Sequence, residues 1–145
     1  LEEALKYICL VYHEEKTFEE ISEEALAEVI TECGLWVEEL EKGGHHVFSA
    51  ALQSVRSAQT LRERGQVLQT TDGPFAETKE YLGGFTIIDA KDAEEAARLA
   101  AGCPAARIGT VEVRPVFEYD GPLSDPLDQK IAAAIRRSAA GFAHR

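Results

Sequence analysis

At 145 residues, with 45% hydrophobic and 28% charged residues, the chain fits one globular domain able to bury roughly 68–70% of its unfolded surface. A net charge of −11 disfavours duplex nucleic acid and anionic membrane surfaces as partners, because both recruit clustered Lys and Arg. No run approaches the ~18 apolar residues of a membrane span, and no secretory leader is visible.

In chain order, residues 6–12 are an apolar, β-rich run and are predicted as a strand. Residues 17–21 turn from polar to apolar and read as a loop into a helix. Ser22 is its expected N-cap, with Glu23 and Glu24 in the first turn, where carboxylates suit the helix dipole. Leu26, Val29, Ile30, Cys33, Val37 and Leu40 recur at helical spacing, Trp36 falls beside that stripe, and Gly43-Gly44 ends the helix. One apolar face implies a helix lying on a sheet. Residues 46–52 read as a second strand. Residues 58–63 and 66–70 read as two short strands around a turn at Arg64-Gly65. Asp72-Gly73-Pro74 is a turn, and residues 83–90 are a strand around Phe85, Ile87 and Ile88. Asp92 caps an Ala-rich helix that Gly102 and Pro104 stop. Residues 110–119 alternate as a strand whose Pro115 argues for an edge or bulge, and residues 125–140 read as a third helix.

The order is β-α-β-β-β-β-α-β followed by a tail helix. Two helices on one face of an antiparallel sheet make an α+β sandwich close to the ferredoxin-like arrangement. The other sheet face needs cover, and a second copy of the chain supplies it most simply, so a homodimer is expected. The domain is placed over residues 1–119, with a helical tail over 120–145.

Cys9, Cys33 and Cys103 are odd in number and lack Cys-x-x-Cys spacing. That argues against a zinc site or a disulfide framework and for reduced core thiols in a cytoplasmic protein. Adjacent His45 and His46 point to opposite faces of a strand and make a poor chelating pair, so no metal is expected. His13 ends the first strand, where a cleft often opens, and is a candidate base or ligand contact. His144 lies in the tail. No catalytic triad, phosphate-binding glycine loop or cofactor motif appears, and no cofactor is expected.

The densest chemistry lies in Asp72-Gly73-Pro74-Phe75-Ala76-Glu77-Thr78-Lys79-Glu80, followed by Leu82-Gly83-Gly84-Phe85. This run resembles the signature of the DGPF group within the YciI-like family. Residues 6–12, Thr60-Leu61-Arg62 and Val111-Glu112-Val113-Arg114-Pro115 agree in kind and order. The resemblance spans residues 6–117. It implies a dimeric α+β barrel of two ferredoxin-like units, with the extra C-terminal helix outside it, and a site in a cleft between sheet and loops. Most members have no known activity. A few resemble dehydrohalogenases acting on chlorinated lactone or aromatic-ring intermediates, and DGPF members are associated with extracytoplasmic-function sigma factors. The YciI branch carries a His near the start of its first helix and an Asp before a Pro after its second. Here those places hold the run Ser22 to Leu26 and Cys103, so no His-Asp pair carries over.

Attention therefore moves to the loop. Asp72, Glu77 and Lys79 are its candidate catalytic residues, with Phe75, Tyr81 and His13 as ligand contacts. Carboxylate, ammonium and phenol together are able to abstract a proton and stabilise an enolate. Plainer roles stand beside these: an Asx-turn for Asp72, a core plug for Phe75, an exposed ion pair for Glu77 and Lys79. Two functions follow. One is a small-molecule enzyme of the proton-abstraction or elimination type. The other is a non-catalytic ligand-binding or regulatory protein that works with a sigma factor.

Overall fold

The structure is a computed structural model that describes residues 4–118 and 121–138. β1 (Leu5–His13) is followed by α1 (Glu15–Glu20), α2 (Glu23–Lys42) and β2 (His46–Ala51). A 3-10 turn at Val55–Ser57 leads into β3 (Gln59–Arg64) and β4 (Val67–Asp72). Then come β5 (Tyr81–Ala90), α3 (Ala93–Ala100), a second 3-10 turn (Pro104–Arg107) and β6 (Thr110–Pro115).

The sheet is antiparallel with strand order β2-β5-β1-β6, and β3 and β4 pair apart from it as a hairpin. Leaving out α1 and the hairpin, the path is βαββαβ, an α+β arrangement compatible with a ferredoxin-like fold. Strand periodicity of two divides the side chains. Tyr7 and Cys9 stand opposite Ile88 and Thr86 on one face. That face forms the core with Leu40 of α2 and Ala96 and Ala100 of α3. Cys9 and Ile88 are fully buried there. The opposite face carries Ile8 and Leu10 across from Ile87 and Phe85. Beside them lies Phe48, still 54% exposed, its ring centroid 6.0 Å from that of Phe85.

The caps are where the residue types require them. The Ser22 hydroxyl accepts from the Ala25 amide at 3.1 Å, and Asp92 accepts from Glu95 at 2.8 Å. Three readings are corrected. Residues 17–21 were expected as loop, but α1 occupies Glu15–Glu20. It is anchored from outside, because the Glu15 carboxylate accepts the Ser54 hydroxyl at 2.8 Å and the Val55 amide at 2.9 Å. The hairpin turns at Gly65 and Gln66, both with positive φ (57° and 65°), one residue later than expected. β6 ends at Pro115, since proline offers no amide to extend the ladder, and Val116 to Glu118 are not strand.

The chain divides into two compact units, residues 1–115 and 116–145. The second contains α4 (Pro126–Arg137), capped by Asp125, whose carboxylate accepts from Leu127 at 2.8 Å. Tyr119, Asp120, Ala139, Ala140 and His144 lie outside the described residues. Among the described residues no helix is long and apolar enough to cross a membrane.

Candidate functional site

The main chamber lies between α2 and the core face of the sheet. It has a volume of about 340 Å³ and a mostly apolar lining that includes Val11, Phe18, Cys33, Trp36, Val37 and Cys103. His13 stands at its border. The last residue of β1, it projects to the same face as Cys9 and Val11. Its ring stacks on Phe18 of α1, centroids 4.0 Å apart and planes within 16°. A second cleft of about 410 Å³ adjoins the first and shares His13, Phe18, Ala51 and Gly83 with it. The stacked pair therefore stands between a mostly apolar chamber and a neighbouring cleft. The lining of this second cleft includes Glu15, Glu19, Ser54 and Arg56.

Two local features make room for His13. β5 bulges where Val11 pairs with Gly84 and Tyr12 pairs with Leu82, so Gly83 is the extra residue. A Cβ on Gly83 would lie 2.1 Å from His13 Cε1, so the ring occupies the space a side chain would take. Neither ring nitrogen of His13 has a hydrogen-bond partner among the described residues. Glu15 is its charged neighbour. That carboxyl is held below the ordinary carboxylate range by the Val55 amide first, then by the Ser54 hydroxyl, with Arg56 and His13 adding smaller effects.

The chamber under α2 has a polar spot away from His13. Ser49 Oγ lies 2.9 Å from Thr86 Oγ1 and 2.9 Å from His46 Nε2. Ser49 and Thr86 both line the chamber. Burial raises the pKa of Cys33 and Cys103, and Cys9 is pushed up to about 11 by burial and then by Cys103, which disfavours the thiolate at all three. All three cysteines are free. Trp36 donates its indole N–H to the Leu99 carbonyl at 3.0 Å, which fixes one wall of the chamber.

The signature run sits elsewhere. Asp72 ends β4 opposite Gln59; it is exposed, and its carboxylate has no partner among the described residues, so no Asx-turn forms. Phe75 is 74% exposed, so it is no core plug, and it borders a small polar hollow with Thr60, Arg62 and Gln69. Glu77 is exposed and does not pair with Lys79, whose ammonium lies 3.5 Å from Glu14. No hydrogen bond or ion pair joins Asp72, Glu77 and Lys79, and none of them lines the main chamber. The end of the run is stitched to the strand ends beside His13. The Tyr81 hydroxyl accepts from the Thr78 amide at 3.3 Å, and Thr110 donates to Glu80 at 3.1 Å. Among the described residues no group of three His, Cys, Asp or Glu side chains is arranged to hold a metal ion.

Sequence reasoning found His13 through its place at a strand end. It missed Ser49 and Thr86, and it read Gly83 only as part of the signature, not as the space for His13. Their roles depend on which strand lies beside which, and no local pattern records that.

Fold and chamber together define an α+β domain with an apolar pocket under one helix and a histidine at its border. The chain belongs to the YCII-related domain family, which matches it over residues 5–120. It is 33% identical over 115 residues to an uncharacterized protein of Rhizobium meliloti (strain 1021), an alignment covering 78% of this chain and 93% of the relative.

Proposed function

We propose that the chamber under α2 binds a small, largely apolar molecule and that His13 accepts a proton from it, a reaction of the proton-abstraction or elimination type. The observation that carries this reading is the His13 ring. It is held by Phe18 and Gly83 at the border of an apolar chamber, with both nitrogens left for a ligand. A base poised this way contributes about 10²–10⁴-fold to a proton transfer. The test has two stages. Trp36 is the chain's one tryptophan, so its indole N–H gives a single resonance. Toluene is expected to shift that resonance saturably. Deuterium exchange into small cyclic ketones is then expected above the buffer rate and lost in His13→Ala. An unmoved Trp36 resonance rejects the pocket; binding without exchange rejects the chemistry.

A homodimer is part of the same proposal. The sheet face carrying Ile8, Leu10, Phe48, Phe85 and Ile87 is the apolar surface a second copy would cover. The hairpin also exposes Leu61, Val67 and Leu68. Asp72 and Glu77 enter as groups that a second copy would bring to bear, while Lys79 reaches Glu14, the residue after His13, within one chain. Light scattering is expected to give twice 15.9 kDa for the native chain. Leu10→Asp combined with Ile87→Asp is expected to give the monomer mass with helical circular dichroism retained. A native monomer at micromolar concentration would sink the dimer.

A further inference from the structure

Ser49 and His46 form a pair that proton abstraction at His13 does not use. The two are three residues apart on β2, and a regular strand would turn them to opposite faces. The ladder with β5 is irregular here: His46 stands opposite Ile88, Phe48 opposite Ile87 and Ser49 opposite Thr86. Val47 is therefore an extra residue, a bulge that brings His46 and Ser49 onto one face. That is the core face, since Ile88 and Thr86 also stand opposite Tyr7 and Cys9 of β1. The Ser49 hydroxyl lies 2.9 Å from His46 Nε2, and Thr86 Oγ1 lies 2.9 Å from the same oxygen.

A hydroxyl within hydrogen-bond reach of an imidazole nitrogen is the geometry of an activated nucleophile, and it matters where a substrate is able to meet it. Ser49 meets that condition, because it lines the chamber under α2. Among the described residues the chamber lining holds no Asp, Glu, Lys or Arg, so a substrate enters uncharged and presents an apolar body. A volume of about 340 Å³ suits a short acyl chain. Among the described residues Ser49 is the hydrogen-bond partner of His46, and no carboxylate orients the ring. A dyad without that third group suits an ester, whose alcohol leaves more easily than the amine of an amide.

We propose that Ser49 is a nucleophile, with His46 as its base, for the hydrolysis of uncharged short-chain esters held in the chamber under α2. In the reactive arrangement Nε2 is the unprotonated ring nitrogen and Ser49 donates to it. Ser49 Oγ bonds to the acyl carbon as its proton passes to Nε2. The bond from that carbon to the alcohol oxygen breaks, and the leaving oxygen takes the proton from Nε2. Water then adds to the acyl carbon, its proton passes through Nε2 to Ser49 Oγ, and the acid departs. This second activity rests on the chamber admitting a small apolar molecule and does not require His13 to act as a base.

Diisopropyl fluorophosphate tests the nucleophile directly, because an activated serine oxygen displaces fluoride from phosphorus and keeps the label. Peptide mass spectrometry of the native chain is expected to place the adduct on Ser49. Hydrolysis of p-nitrophenyl butyrate is expected above the buffer rate, with the excess abolished by prior labelling. His46→Gln keeps a hydrogen-bonding group beside Ser49 and removes the base; it is expected to slow labelling and turnover by at least about 100-fold. Ser49→Ala is expected to abolish both, with folding checked by circular dichroism, and the labelling of the native chain stands as a test if either variant fails to fold. An unlabelled native chain, an adduct on another residue, or undiminished rates in His46→Gln overturns the proposal. Saturable toluene binding at Trp36 alongside any of these upholds the pocket and rejects the dyad alone. If toluene fails to bind as well, the pocket itself is rejected.

Discussion

Gly83→Ala is expected to lower stability by about 1–3 kcal/mol and to displace His13 from the border of the chamber. The new methyl would stand 2.1 Å from His13 Cε1 and 2.4 Å from Nδ1, well inside contact distance. Gly83 is not among the positive-φ glycines, so alanine fits its backbone and the penalty is steric alone. The three nearest atoms belong to one side chain. That makes the effect separable: in a His13→Ala background the same substitution meets no ring and is expected to cost little. A double-mutant cycle read by urea unfolding should return a coupling of at least about 1 kcal/mol between positions 13 and 83. Toluene binding, followed at Trp36, should weaken in Gly83→Ala because the displaced ring has the chamber to move into. Additive penalties would mean that the bulge relaxes and that His13 is not held by Gly83.

The same pair shows where sequence reading reaches and where it stops. Periodicity was enough for β1, α2, β5 and α3, because their apolar positions recur with the period of the element and their ends carry Ser22, Gly43 and Asp92. It failed at α1. Six residues without a buried side chain have no apolar stripe to read, and the helix depends on contacts from Glu15 to Ser54 and Val55, about forty residues away. The chamber was legible only at His13, which a strand end brings to a border. Ser49 and Thr86 are 37 residues apart and meet because β2 lies beside β5. The run from Asp72 to Glu80 is the clearest mark of kinship in the sequence, yet in the single chain Asp72 and Glu77 are exposed and only Glu80 is tied in, by Thr110. A motif records what a family keeps, and exposure depends on what the fold and its partners place over it.

Gly34 gives the second large effect, because it acts on the chamber and the helix in opposite directions. It lies inside α2, where glycine is about 0.8–1.0 kcal/mol less favourable than alanine. It lines the chamber, and a Cβ placed on it meets nothing within 4 Å. Packing does not require glycine here; the empty space in front of it does benefit. Gly34→Ala is therefore expected to raise stability by about 0.5–1 kcal/mol, seen as a higher Tm, with toluene still bound. Gly34→Leu retains the helix-forming gain and adds four carbons facing the chamber, so it should stay folded and lose the toluene-dependent shift of Trp36. Stability and binding then part company at one position, which separates a chamber kept open for a ligand from one left by imperfect packing. If Gly34→Leu folds and still binds toluene, the ligand occupies another part of the molecule and the assignment of the chamber falls. If Gly34→Ala is destabilising, the helix has no room at this position, and the argument from open space fails with it.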